Sequence, residues 1–162
     1  MTVVEIDVLT GEVEVLRTDI LYDAGKSLSP LVDLGQVEGA FIIGLGHFLT
    51  EALEYDAKTG ALKTFDTWEY KPPCSTDIPI EWNVTLQANV PAPHGFLGSK
   101  ATGEPPLLLA NSVFFAVKRA IMASRKDEGT PKALGWFPLS APATPPQIQQ
   151  LCNSVAVAMT DA

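Results

Sequence analysis

The run from Gly98 to Pro106 places one carboxylate at the start of an apolar segment and restricts how the chain folds there. Glu104 follows Gly103 and precedes Pro105 and Pro106. Because glycine has no side chain, a ligand or another main chain can approach it closely. Pro105 is expected to keep Glu104 out of the α region and to begin a helical turn. The run therefore predicts a carboxylate held at the N-terminus of a helix.

Two interpretations of Glu104 are open from the residues alone. A carboxylate at a helix N-terminus interacts favourably with the helix dipole, an effect of about 0.3–1 kcal/mol. The glycine and proline neighbours favour a second interpretation, in which Glu104 is an acid or base held in one place for chemistry. The helix terminus favours the ionised form that a general base needs, whereas burial would oppose ionisation.

The segment from Leu31 to Leu53 has the apolar spacing of a helix but contains four glycines. Each glycine in a helix interior costs about 1 kcal/mol relative to alanine, so this helix needs tight packing. Ser29 and Pro30 are suited to the N-cap and the first helical position. Gln36 lies near the start of the helix, as either a solvated polar residue or an amide presented to a heteroaromatic ligand.

Alternating apolar residues predict a hairpin in the first 22 residues, with its turn at Thr10–Glu12. A further strand is predicted over Ile80–Leu86, with its even-numbered side chains facing a core. Shorter signals predict a hairpin around Lys58–Gly60 and a strand over Thr67–Tyr70. Apolar residues spaced by three and four from Leu107 onwards predict a second long helix, and Pro145 begins a shorter terminal one. The predicted fold is α+β, with antiparallel strands and hairpins packed against a glycine-rich helix and a long apolar helix.

The charge and cysteine content exclude several classes of protein. The formal net charge is −8 and the cations are scattered, which argues against a nucleic-acid partner. The most apolar stretch, Leu107–Met122, is short of the roughly 20 residues of a membrane span and contains charged residues, so no membrane partner is expected. The N-terminal residues lack the pattern of a signal peptide. Two distant cysteines suggest neither a disulfide framework nor a Cys-rich metal site, and they predict a reducing, cytoplasmic compartment.

Other polar residues give weaker signals. Ser99 and Lys100 could hydrogen-bond an anionic ligand, although a single lysine in a loop is usually solvated. His47 and His94 are the two histidines, and neither has a carboxylate or cysteine at metal-ligand spacing. No metal-ligating side chains are therefore predicted.

Several segments resemble the C-terminal end of the molybdenum hydroxylases, the family of xanthine dehydrogenases and aldehyde oxidases, and the two motifs that contain Gln36 and Glu104 occur in the family's order. The segments are Asp33–Phe41, Gly44–Gly46, Ser99–Pro106, Phe114–Ala116, Arg17–Ile20, Asp77–Ile80 and Pro142–Pro145. The resemblance extends from about Val3 to Leu151. Thr67–Pro73 and Gly95–Leu97 are more similar to aldehyde oxidases than to xanthine dehydrogenases.

The resemblance implies roles for six residues. Glu104 matches the family's catalytic base, which takes a proton from water-derived oxygen during hydroxylation of an aldehyde, N-heterocycle or purine. Gln36 matches a residue beside the molybdopterin. Lys100, Ala101, Thr102 and Gly103 match a loop whose main chain contacts the molybdenum–molybdopterin cofactor.

The resemblance also implies that residues 1–162 are the C-terminal segment of a larger molybdopterin-binding domain. The rest of that polypeptide would complete the cofactor pocket and carry the 2Fe-2S and FAD groups. The isolated chain is then expected to be inactive, and the complete enzyme to be a homodimer. An alternative keeps the fold without the enzyme: a truncated paralogue that acts as an interaction or dimerisation module.

Overall fold

A small sheet and three α-helices make up the part of the chain that the computed structural model describes, residues 1–127 and 136–157. The strands are β1 (Thr2–Ile6), β2 (Val13–Tyr22) and β3 (Glu81–Leu86), in the order β1-β2-β3. The helices are α1 (Pro30–Leu45), α2 (Asn111–Asp127) and α3 (Pro145–Val157). A π-helical turn at Gly46–Thr50 follows α1, and a 3-10 helix at Pro105–Ala110 leads into α2. The predicted α+β class is confirmed.

The predicted N-terminal hairpin is formed by β1 and β2, which pair antiparallel with Val4 opposite Val15. Its turn lies over residues 8–10, slightly before the predicted position, because the Asp7 carboxylate accepts backbone N–H groups there. Gly11 has a φ of +80°, and a Cβ on it would lie 1.9 Å from the Pro145 carbonyl oxygen. The hairpin turn therefore packs directly against the start of α3.

β3 pairs with β2 in parallel, with Thr18 opposite Trp82, so the expectation of purely antiparallel strands is wrong. The chain crosses over through α1 between these strands, a connection that parallel pairing requires. Trp82 is half-buried and packs edge-on against Phe41 of α1 at 5.7 Å between ring centroids. Ile80, predicted to face the core, precedes the strand and is 66% exposed.

The region between α1 and β3 contains turns where strands were predicted. At Thr67–Tyr70 the Asp66 carboxylate accepts the Trp68 N–H at 2.8 Å, which closes a turn and excludes a strand. The hairpin around Lys58–Gly60 exists as a turn with a single bridge between Tyr55 and Leu62, without regular strands. Local side-chain hydrogen bonds of aspartate compete with strand pairing in this region.

The core lies where α1, α2 and α3 meet one face of the sheet. Its fully buried side chains include Val37, Phe41, Leu45, Val113, Val117, Ile121 and Ile148. Gly44 explains part of the glycine content of α1, because a Cβ there would lie 2.3 Å from the Leu107 carbonyl oxygen and 2.7 Å from the Ala110 Cβ. α1 and the 3-10 helix are therefore in backbone contact, as the predicted need for tight packing requires.

The 3-10 helix and α2 form one helical run, Pro105–Asp127, of 23 residues. By length and composition this run could cross a membrane, so the prediction that the segment is too short is wrong on length. Val113, Val117 and Ile121 are fully buried on one of its faces, although only 22% of its most apolar window is buried. Helices buried in a protein core can have the same length and composition, so these two properties do not by themselves identify a membrane span.

Candidate functional site

Residues 98–100 are held antiparallel beside residues 24–26, immediately after β2. The N–H groups of Lys26 and Lys100 donate across this pairing at 2.7 and 2.9 Å. Gly25 has a φ of +65°, and a Cβ on it would lie 2.4 Å from a carbonyl oxygen of the facing segment. A glycine is therefore needed at this position, and the pairing determines where the following residues 101–104 begin.

Lys100 is paired within the chain. Its Nζ lies 2.5 Å from Oδ2 of Asp23, so the ammonium is paired within the chain, although the Lys100 side chain is still 45% exposed to solvent. This hydrogen bond, and next the Gly25 N–H that donates to the same carboxylate, lowers the pKa of Asp23 below its usual range. The ammonium thus fixes the loop to the end of β2.

The Asp23–Lys100 pair should make stability depend on pH. An aspartate with a lowered pKa stabilises the fold above its unfolded pKa of about 3.9, and this stabilisation is lost as pH falls through the folded pKa. The difference in Tm between wild type and Asp23→Asn is therefore expected to be constant above about pH 5 and to shrink below pH 4. In a chain that also carries Lys100→Met, the Tm difference caused by Asp23→Asn should be smaller above about pH 5, because the ammonium that lowers the Asp23 pKa is gone. A Tm difference that does not change with pH would contradict the pairing.

The carbonyl oxygen of Ala101 accepts a hydrogen bond from the Tyr22 hydroxyl at 2.6 Å. Burial, with the nearby carboxylates of Asp23 and Asp33, raises the pKa of Tyr22 above its usual range. Tyr22 therefore remains a donor at neutral pH. The contact joins the last residue of β2 to the predicted cofactor loop.

Thr102 is 9% exposed, and its Oγ1 donates to Oδ1 of Asp33 at 3.2 Å. The other carboxylate oxygen of Asp33 accepts from the Ser27 hydroxyl at 2.5 Å. Asp33 lies in the first turn of α1. The loop that contains Thr102 is therefore attached to the helix that carries Gln36.

Gln36 and Gly103, predicted separately as site residues, lie together. A Cβ on Gly103 would lie 2.9 Å from Nε2 of Gln36, so any side chain there would displace the amide. Gln36 is exposed on the outer face of α1, and its neighbours Gly35 and Gly39 have nothing within 4 Å of a Cβ position. The amide and the open backbone beside it are therefore accessible to a flat polar ligand.

Glu104 is exposed and is the N-cap of the 3-10 helix, with no side-chain cap hydrogen bond. Its φ and ψ are −95° and −46°, in the right-handed helical region, so the prediction that Pro105 excludes this conformation is wrong. The reason is the turn itself, because the Glu104 carbonyl oxygen accepts the Leu107 N–H at 3.1 Å. Prolines at the first helical positions are confirmed.

The loop offers main-chain donors for a ligand. Within the described part of the chain, the backbone N–H groups of residues 101–103 donate to no other protein group. No group of three histidine, cysteine or acidic side chains in the same residues could hold a metal ion. The main-chain N–H groups of residues 101–103 and the Gln36 amide are therefore donors that an organic ligand could use.

Comparisons with known proteins identify the family of this site. Residues 1–79 match the family model described as a molybdopterin cofactor-binding domain. The chain is 50% identical to mouse xanthine dehydrogenase/oxidase over 149 residues, which cover 92% of the chain and 11% of that protein. It is 48% identical to rice probable aldehyde oxidase 3 over 152 residues, again covering 93% of the chain and 11% of that protein. The chain belongs to the molybdenum hydroxylase family.

The fold of this molybdenum hydroxylase chain agrees with solved structures. Quinoline 2-oxidoreductase from Pseudomonas putida 86 matches with a TM-score of 0.78 at 25% identity, over 93% of this chain and 18% of that one. A Cu,Mo-CO dehydrogenase matches with a TM-score of 0.76 at 21% identity, over 95% of this chain and 18% of that one. The chain spans about a tenth of the curated relatives that it matches. Identity to xanthine dehydrogenases and aldehyde oxidases is nearly equal, so the closer resemblance to aldehyde oxidases stays a prediction.

The sequence pattern did not identify the residues that hold the loop at 100–102 in place. Tyr22, Asp23 and Asp33 each contact the loop at 100–102 from segments more than 65 positions away in the chain. Asp33 belongs to a segment that carries the family resemblance, three positions before Gln36. That spacing on one helix face was an available signal.

Proposed function

We propose that residues 1–162 are the C-terminal segment of the molybdopterin-binding domain of an enzyme that hydroxylates aldehydes or N-heterocycles, including purines. The observation that carries this proposal is the contact between Gln36 and Gly103, immediately before Glu104. It joins the two segments whose resemblance implies cofactor binding and base catalysis. In this proposal Gln36 and the main chain of residues 100–103 hold the cofactor.

The bound molybdenum–molybdopterin group would accept the two electrons that leave the substrate. Glu104 supplies the proton acceptor: its carboxylate takes the proton that a water-derived oxygen loses as that oxygen becomes bonded to the substrate carbon. An exposed carboxylate without a cap hydrogen bond has a free oxygen for this proton. Gln36 supplies an amide that both donates and accepts, which suits a heteroaromatic edge.

The remainder of the enzyme is part of the proposal. Because the chain spans about a tenth of its curated relatives, the longer polypeptide would close the cofactor pocket and carry the 2Fe-2S and FAD groups. Homodimeric assembly rests on the family resemblance, and a cytoplasmic location also rests on the cysteine content. The outer face of α1 around Gly35 and Gly39 is open in this chain and is where the missing wall of the pocket would lie.

The purified chain alone is expected to contain no stoichiometric molybdenum and to leave benzaldehyde unoxidised, because it holds the base but only part of the pocket. Metal analysis and an assay should be combined with the intact mass of every co-purifying polypeptide. The complete polypeptide, prepared in parallel, should contain molybdenum and turn over. Stoichiometric molybdenum and activity in the chain alone would contradict the partial-site proposal. A chain that occurs alone in cells and binds only proteins would favour the interaction module.

A further inference from the structure

The carboxylate of Asp33 joins three segments around the candidate site. One oxygen accepts from the Thr102 hydroxyl in the cofactor loop, at 3.2 Å. The other accepts from the Ser27 hydroxyl in the segment between β2 and α1, at 2.5 Å. Asp33 itself is fixed in the first turn of α1, where its N–H donates to the Ser29 carbonyl oxygen at 2.9 Å.

The helix register relates these bonds to the site. Asp33 and Gln36 are three positions apart, so they lie on one face of α1. They contact consecutive loop residues, Thr102 and Gly103 respectively. The Asp33–Thr102 bond therefore lies next to the contact between Gly103 and the Gln36 amide, two residues before Glu104.

A carboxylate is suited to this position because it accepts from two hydroxyls at once, and bonds to an ionised acceptor are stronger than neutral ones. Thr102 is nearly buried and Asp33 is half-buried, so water competes poorly for their bond. Among the described residues, two other side-chain hydrogen bonds attach residues 100–102, from Tyr22 to Ala101 and between Lys100 and Asp23. Both of these attach the loop to the end of β2, whereas Asp33 attaches it to the helix with Gln36.

We infer that Asp33 is a positioning residue, which holds residues 101–104 against α1 so that the Gly103 main chain and the Glu104 carboxylate are presented together. The inference rests on the proposed function for its effect on turnover. Asp33 acts through Thr102 and touches no reacting atom. Its loss should loosen the loop even when no cofactor is bound.

The test uses four single variants of the complete polypeptide and the double variant Asp33→Ala/Thr102→Val. Asp33→Ala removes both hydrogen bonds, and Thr102→Val removes the hydroxyl while keeping the side-chain shape. Asp33→Asn is the conservative variant, because its amide can accept from one hydroxyl and donate to the other. Asp56→Ala is the matched control: that carboxylate also accepts from a threonine hydroxyl, Thr59, but in a turn outside the candidate site.

Three readouts separate positioning from simple stability: kcat per bound molybdenum, molybdopterin content, and amide hydrogen exchange at Ser99 and Lys100, whose N–H groups donate to the Phe96 and Ala24 carbonyl oxygens at 2.9 Å. Asp33→Ala and Thr102→Val should each lower kcat per molybdenum by about 10- to 100-fold, as misplacement of a catalytic group does. Both should speed exchange at these two amides, and the double variant should be no worse than Asp33→Ala alone, because that substitution already removes the Thr102 bond. Asp33→Asn should recover most of the kcat, and Asp56→Ala should leave kcat and loop exchange unchanged.

Two outcomes overturn the inference. Unchanged loop exchange in Asp33→Ala would show that the carboxylate does not hold the loop. A lowered Tm with unchanged kcat per molybdenum would show a purely structural role. Failure of the proposed function gives a different pattern, in which the wild-type complete polypeptide holds no molybdopterin. Loop exchange in wild type and Asp33→Ala then still decides whether the attachment exists.

Discussion

Glu104→Gln is expected to lower the kcat of the complete enzyme by about 10²–10⁴-fold, the usual contribution of a positioned acid–base group. Glutamine keeps the size of the side chain and its place as N-cap of the 3-10 helix, but it cannot accept the proton. The carboxylate makes no cap hydrogen bond, so the substitution should cause little structural change. Molybdenum content should therefore stay near the wild-type value while steady-state turnover is lost.

The control for this variant is Glu54→Gln, which removes the same charge from an exposed residue in the loop after α1. It should retain full turnover and full molybdenum content. If Glu104→Gln loses molybdenum in proportion to activity, the residue supports cofactor binding or folding instead. Unchanged turnover with normal molybdenum would remove Glu104 from the mechanism.

Gly44→Ala is expected to destabilise the chain by about 1–3 kcal/mol relative to Gly39→Ala, the range for overpacking a tight contact. Both substitutions gain the same intrinsic helix stability, about 1 kcal/mol, so their difference isolates packing. At Gly44 the new methyl group meets the Leu107 carbonyl oxygen and the Ala110 Cβ, whereas at Gly39 it meets nothing within 4 Å. Urea or thermal unfolding of the purified chains measures the difference.

The same substitution should affect the site. A methyl group at Gly44 pushes the 3-10 helix away from α1, and Glu104 lies at the start of that 3-10 helix. Turnover in the complete enzyme should therefore fall for Gly44→Ala. The cause is the displaced 3-10 helix, and the gain in helix propensity does not contribute to the loss. Equal stabilities for the Gly44→Ala and Gly39→Ala chains would contradict the backbone contact between the two helices.

Elements with strong local signals were predictable. Ser29 and Pro30 begin α1 as their residue types favour, and the turn residues before Val13 give the hairpin. The sequence pattern mispredicted a strand over Thr67–Tyr70, where the Asp66 carboxylate accepts the Trp68 N–H and closes a turn instead. It also failed at Glu104, because the effect of the following proline was outweighed by a 3-10 hydrogen bond to Leu107.

The sequence by itself determined the family, the α+β class and the identity of the residues nominated for the site, because these depend on residue types and their order. Only the tertiary structure decided that β3 runs parallel to β2 and that Lys100 pairs with Asp23. It alone also decided that α1 presents Asp33 and Gln36 to the loop at 102–103, across 69 and 67 positions. Contacts at that separation are chosen by packing of the whole core and leave no periodic signal in the local sequence.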